Sequence, residues 1–325
     1  MKQENSPRAH DLESALGKRV SIRLHDRSGG LRDIVGILES NHHVRNSKGE
    51  SIPFDSSDIA IWREVKPLPD RAGTGAPFSL RIIELEELSN ATWPADREVA
   101  LGKWIARISD GFTLRANSVL PLGAGPIGEP EGSLEDEVQR VIDLYESAEL
   151  TPAFVVPLPL YDELDHYLAQ RGWSQKLVAD YLVNETATEA PDAHEDFIYT
   201  TRTTPDKRWL GLVGDENLQN IMERAPAIYG AIEHEGIVIG VGRIAVKGSW
   251  SIVTRLFIAP EFRRRGLSRY LMNNLTASAR IEGATKVVLQ VDQSNSVAMA
   301  LYQSMGFRFH HTCSYRELQD SGANR

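Results

Sequence analysis

Arg263, Arg264, Arg265, Gly266, Leu267, Ser268 and Arg269 stand where an apolar, β-branched run gives way to a helical repeat. Residues of these types at such a junction bind anions. Ile252 to Ile258 has strand composition and is closed by Pro260, while Leu267, Leu271, Leu275 and Ala279 recur at helical spacing up to a stop at Gly283. Gly266 permits close backbone approach, and the first helical N–H groups after it have no intrahelical acceptor. A phosphate satisfies them, the helix dipole favours it by about 0.3–1 kcal/mol, and Arg263, Arg264 or Arg265 can add charge-assisted bonds. The guest that suits this turn is a pyrophosphate. Taken alone, the same run also fits a solvated basic turn.

The elements that must position this turn follow it closely. Val287-Val288-Leu289-Gln290-Val291 reads as a buried strand, followed by Asn295 and a helix that carries Ala298, Leu301, Tyr302 and Met305 on one face. Gly306 stops that helix and Phe307 opens a last strand through Tyr315. Upstream, Asp215 to Ala225 reads as a capped amphipathic helix. It is followed by a hairpin of Ile228–Glu233 and Ile237–Val246 turned at His234-Glu235-Gly236.

The patterns R-x-x-G-x-S and then L-x-V-x-x-x-N-x-x-A-x-x-L-Y-x-x-x-G-F occur in order and at the expected separation. Over about residues 195–318 the chain therefore resembles the acetyl-CoA-binding core of the GNAT superfamily of N-acyltransferases. Ser268 departs from the Gly or Ala usual there, with a side chain still small enough for a phosphate. The resemblance implies a mixed, mostly antiparallel α/β (α+β) fold with acetyl-CoA as co-substrate. The pantetheine arm would pair with the backbone of Leu256, Phe257 and Ile258, and an N–H near Leu256 or Phe257 would polarise the thioester carbonyl. Arg264 to Arg269 would hold the pyrophosphate, Asn295 would bond pantetheine, and Tyr302 would protonate the leaving thiolate. From the residues alone, Tyr302 also fits a core tyrosine and Asn295 a helix N-cap.

The reaction implied is direct attack by a neutral amine. Cys313 is the sole cysteine and has no Cys-His-Asp constellation in the sequence, which speaks against an acyl-enzyme. Glu233, Glu235 and Asp292 are candidate bases, and the sequence does not choose among them.

Over 325 residues, 41% of them hydrophobic, the chain is long enough for two or three cores. A net charge of −9 argues against general binding to nucleic acid or anionic membrane. No apolar run is long enough to span a bilayer, no signal-peptide core is visible, and a lone cysteine excludes an intrachain disulfide, so the cytosol is the expected location. His42-His43 and His310-His311 are adjacent pairs with no metal-ligand spacing, so no metal is expected.

Residues 1–11 read as disordered. Residues 12–66 contain four short strand-like runs, Arg19–Leu24, Ile34–Leu38, Val44-Arg45 and Ile59–Trp62, and resemble an SH3-like or Tudor-like barrel, either a partner or effector module or a docking cap. Residues 67–77 read as a linker. Residues 78–190, with a strand-rich start, a strand pair over Gly111–Val119, helices from Ser133 and over Leu160–Arg171, and a closing strand at Lys176–Leu182, read as a degenerate GNAT-like half without the phosphate motif.

This arrangement resembles actinobacterial proteins that include corynebacterial-type N-acetylglutamate synthases. It implies L-glutamate as acceptor and a place in arginine biosynthesis. A dicarboxylate needs cations, and Arg115, Arg243 and Arg255 are candidates, each also readable as a surface or fold-stabilising group. A protein or peptide N-acetyltransferase and a non-catalytic acyl-CoA-binding regulator are the alternatives.

Overall fold

The computed structural model describes residues 9–26, 29–46, 50–65, 78–214 and 216–319. The expected disordered start lies mostly outside these residues, and the expected linker wholly so. The chain divides into two compact units, residues 1–69 and 70–325.

The first unit is an antiparallel sheet of β1 (Arg19–His25), β2 (Leu31–Ser40), β3 (His43–Arg45), β4 (Ser51–Pro53) and β5 (Ile59–Glu64), ordered β4-β3-β2-β1-β5. Strand alternation turns Val20, Ile22, Leu24, Ile34 and Leu38 onto one core with Phe54 and Trp62. Among the described residues the ladders make a sheet, and none joins β4 to β5.

The second unit is built on one eleven-stranded mixed sheet. Its elements are α1 (Phe78–Thr92), β6 (Arg97–Leu101), β7 (Trp104–Ile108), β8 (Val119–Pro121), α2 (Leu134–Glu146), β9 (Ala153–Leu158), α3 (Asp162–Gln170) and β10 (Trp173–Glu185). They continue with β11 (Ile198–Arg202), α4 (Lys207–Val213), α5 (Gln219–Glu223), β12 (Ile228–His234), β13 (Ile237–Lys247) and β14 (Trp250–Ile258). The chain ends in α6 (Leu267–Ile281), β15 (Lys286–Asp292), α7 (Ser296–Ser304) and β16 (Arg308–Leu318).

The strand order is β11-β12-β13-β14-β15-β10-β16-β9-β8-β7-β6. The final strand of each half therefore lies between strands of the other. β10 pairs with β15 on one side and β16 on the other, and β16 goes on to pair with β9. Through this exchange the half read over residues 78–190 and the half over residues 195–318 share one continuous ladder. Val287, Val288, Leu289 and Val291 of β15 are buried on both faces, as a central strand requires.

Local chemistry explains the other departures. Residues 111–119 are no strand pair: the Asn117 carboxamide accepts from the N–H groups of Ser109 (2.8 Å) and Gly111 (3.3 Å) and donates to Thr113 O (2.8 Å). That pins a loop with one 3-10 turn before β8. The expected strand-rich start is preceded by α1. The expected helix over 215–225 begins at a residue outside those described, opens as a 3-10 turn and ends at Glu223, ahead of Pro226. The helix α4 was missed, although Asp206 caps it through Trp209 N (2.9 Å) and Gly214, at φ 68°, ends it. The β12–β13 turn is as expected, with Glu235 and Gly236 at φ 51° and 80°. Among the described residues no helix is long and apolar enough to cross a membrane.

Cys313 lies in a constellation the sequence did not suggest. The carboxylate of Glu86, on α1, accepts from Cys313 Sγ (2.9 Å), from Tyr181 (2.9 Å) and from His311 Nε2 (2.9 Å), all fully or nearly fully buried. The Glu86, His311 and Cys313 donor atoms all lie within 4.8 Å of one another, so the cysteine expected to lack a Cys-His-acid constellation has one in the fold. Burial pushes the Cys313 thiol well up, so it is no thiolate nucleophile at neutral pH. Burial alone would raise the Glu86 carboxyl, but hydrogen bonds from His311, Cys313 and Tyr181 together with the His311 charge hold it below its ordinary value.

A carboxyl depressed on folding stabilises above its unfolded value and loses that contribution as pH falls through the folded one. Glu86→Ala is therefore expected to cost about 3–5 kcal/mol in urea unfolding at pH 7, with the deficit shrinking as pH falls below about 4. A deficit under 1 kcal/mol, or one that grows in acid, would contradict this role.

Candidate active site

β14 pairs in parallel with β15 only from Trp250 opposite Lys286 to Val253 opposite Leu289. Beyond that, β15 continues against β10 while β14 turns away with β13. The separation has a local cause. Val241 faces Phe257 and Arg243 faces Thr254, so Arg255 and Leu256 together oppose Gly242 in a bulge with Arg255 at φ 58°. A Cβ on Gly242 would come within 2.6 Å of Leu275 and 3.1 Å of Leu256, so only glycine fits opposite the bulge with α6 packed this closely. The strand backbone past Val253 thus faces a cleft on its β15 side.

Leu256, Phe257, Ile258, Arg263, Arg264, Gly266, Leu267, Ser268, Arg269, Asn295 and Tyr302, all predicted donor-site residues, line one groove of about 890 Å³. Arg264 (φ 62°) and Gly266 (φ 79°) turn the chain into α6, and no side chain caps that helix, so its first N–H groups face the groove without a protein partner from a cap. Arg265 stands apart from this set, with its guanidinium 5.3 Å from the centre of the Phe262 ring. Arg263 donates to Ile258 O (3.0 Å), using one lone pair of a carbonyl expected to serve a ligand. Arg269 bonds Ser304 Oγ (2.8 Å), tying α6 to α7 across the groove.

Asn295 caps α7 by accepting from Ala298 N (3.1 Å), which leaves its amide NH₂ as a donor on the groove side. Tyr302 packs against Phe307 at 5.6 Å between ring centres and is nearly buried. Burial pushes its hydroxyl up to about 12, so it is a proton donor, not a base, at neutral pH.

At the same strand separation a second cavity, about 320 Å³, is lined by Trp93, Thr113, Leu114, Arg115, Leu177, Val253, Thr254, Arg255, Gln290 and Tyr315. Two of the three predicted acceptor cations therefore come together here. Arg243 is corrected: fully buried, it donates to Thr92 O (2.9 Å), Met222 O (3.1 Å) and Ala225 O (3.4 Å) and serves the fold. None of the candidate bases lines either cavity. Glu233 pairs with Arg202 and Arg208, Glu235 sits in the hairpin turn, and Asp292 caps Ser294 N (2.8 Å). Trp93 was missed; its one sequence signal is an aromatic residue placed before Pro94, directly after a helix.

Several known proteins resemble the chain. It is 27% identical over 323 residues to the probable histone acetyltransferase Rv0428c of Mycobacterium tuberculosis, covering 94% of this chain and 97% of that protein. The structure of a GCN5-related N-acetyltransferase from Kribbella flavida matches 73% of this chain and 96% of its own, with a TM-score of 0.56 at 13% identity. A tandem GNAT protein from the clavulanic acid biosynthesis pathway matches 73% of this chain and 89% of its own at a TM-score of 0.51 and 13% identity. The family model described as "Probable histone acetyltransferase Rv0428c C-terminal" matches residues 80–316, most of the chain. The chain belongs to that family and is a GNAT-type N-acetyltransferase, an enzyme class that uses acetyl-CoA as co-substrate.

Proposed function

We propose that the enzyme transfers acetyl from acetyl-CoA to the amine of a small soluble amino acid by direct attack, with L-glutamate as the acceptor and arginine biosynthesis as its setting. The observation that carries this reading is the meeting of the two cavities at the Val253–Leu256 turn of β14. One is long and lined by the basic phosphate turn, the other is small and cationic.

In this mechanism the diphosphate of the coenzyme rests on the N–H groups opening α6 and on Arg263, Arg264 and Arg269. The pantetheine amides pair with Leu256 to Ile258, supported by Asn295. A strand N–H near Leu256 or Phe257 donates to the thioester oxygen as it gains charge, an interaction of the kind worth about 3–4 kcal/mol. The neutral amine forms the new N–C bond as the C–S bond breaks, and Tyr302 gives its proton to the departing sulfur. With no carboxylate among the described residues lining either cavity, water takes the amine proton in this reading. Within the same proposal the N-terminal sheet is an SH3-like module for a partner or effector, and the enzyme works in the cytosol.

The second reading, acetylation of a protein or peptide amine, is favoured by the name of the mycobacterial relative. Thiol release from acetyl-CoA across L-glutamate, other amino acids, polyamines and lysine peptides separates the two. Saturable turnover on glutamate is expected, and turnover on peptides alone would establish the second reading instead. Tyr302→Phe is expected to lower kcat by about 10²-fold while acetyl-CoA affinity stays as it was. Unchanged turnover would remove Tyr302 from the mechanism. Because burial holds the Tyr302 proton until about pH 12, kcat/KM is expected to rise with pH as the acceptor amine deprotonates, with no falling limb up to pH 9. A bell centred near neutrality would point to a different acid.

A further inference from the structure

Three guanidinium groups surround one indole. Their central carbons lie 5.8 Å (Arg115), 5.3 Å (Arg243) and 5.8 Å (Arg255) from the Trp93 ring centre. Arg243 is locked by backbone carbonyls, whereas Arg115 and Arg255 line the small cavity, together with Gln290, Thr254 and Tyr315. Among the described residues, none lining that cavity is acidic. Gln290 Oε1 accepts from Arg115 Nη2 and from the Tyr315 hydroxyl (3.4 Å), so Arg115 is held on one edge while its buried Nε has no hydrogen-bond partner among the described residues.

Each guanidinium is attracted to the indole face, but like charges gathered about one ring also repel one another. Arg115 adds to the burial that depresses the Arg243 guanidinium. A site of this charge favours an anion and disfavours a second cation.

We propose that Trp93, Arg115 and Arg255 form a carboxylate-reading acceptor subsite, which restricts the enzyme to small amines that carry carboxylate groups and rejects lysine-rich tails. This rests on the assignment of the neighbouring groove to acetyl-CoA. A carboxylate takes two parallel N–H bonds from a guanidinium, which fixes the direction of the attached amine, and a cavity of about 320 Å³ suits one amino acid. Trp93 acts as a positioning residue: its face sets where Arg115 and Arg255 stand. Trp93, Thr113, Leu114, Arg115 and Leu177 all belong to the half that lacks the phosphate motif. That half therefore supplies Trp93 and Arg115 to the acceptor subsite, and the half that binds the donor supplies Arg255.

The test uses the full chain, with L-glutamate, L-aspartate, L-glutamine and a lysine-rich peptide as acceptors. Binding is measured by calorimetry with and without coenzyme A, and turnover by thiol release. For wild type we expect the acidic amino acids to bind and react, and the peptide to do neither. Arg115→Ala is expected to raise KM for glutamate about 10- to 100-fold with acetyl-CoA affinity unchanged, and Arg115→Lys to recover only part of the loss. Trp93→Leu should raise KM more than it lowers kcat, with Trp93→Phe restoring most of it.

The proposal is overturned if no carboxylated amine binds in either state, or if the peptide is the preferred acceptor and Arg115→Ala leaves its turnover unchanged. Failure of acetyl-CoA to bind wild type would instead remove the donor-site reading alone, because acid binding and its loss in Arg115→Ala are read without the coenzyme.

Discussion

The loss of pairing between β14 and β15 after Val253 is the constraint on which the rest of the active unit depends. Two adjacent parallel strands normally satisfy each other's backbone groups, and a central strand that stops doing so must give those groups another partner. Here the bulge at Arg255 and Leu256, held open opposite Gly242, turns β14 out of the sheet and gives its backbone a ligand-sized cleft. The same turn directs Arg255 to the small cavity and Leu256 to Ile258 to the large one. A local backbone irregularity thus sets where both cavities open and how they adjoin.

The exchange of terminal strands explains how such a cleft survives in the middle of a sheet. β15 loses β14 as a neighbour beyond Val253, but it gains β10 along its whole length, and β10 in turn is clamped by β16. The buried Glu86 carboxylate reinforces the seam, gathering hydrogen bonds from β10 and β16 onto α1. Electrostatics follow the same division. The chain as a whole is acidic at −9, yet the described residues lining the two cavities at the split include arginines and no carboxylate, so the local field there opposes the global one.

Much of the donor site was legible in the sequence because it is local. A strand, a Gly-containing basic turn and a helix follow one another without interruption over residues 250–281, and Asn295 and Tyr302 are spaced by one helix, so periodicity alone brings them to one groove. Which of the adjacent arginines line the groove was not legible, because neighbours in a turn point in different directions and the turn at Arg264 has φ 62°. Long-range features were not legible. Glu86 and His311 are 225 positions apart, Trp93 meets Arg255 only after the strands interleave, and nothing in their neighbourhoods marks the pairing. Arg243 shows the converse limit: an arginine in an apolar strand has the composition of a ligand contact, but here the Thr92, Met222 and Ala225 carbonyls consume it. The loop at 111–119 defeated strand propensity because the Asn117 carboxamide competes for the backbone.

A crystal structure of the complex with coenzyme A and N-acetylglutamate tests the central claim most directly. The account predicts pantetheine alongside Leu256 to Ile258, the diphosphate on the turn from Arg263 to Arg269, the sulfur within hydrogen-bonding reach of the Tyr302 hydroxyl, and carboxylate oxygens on Arg115 or Arg255. Coenzyme bound elsewhere, or a sulfur that emerges away from the β14–β15 split, would contradict it.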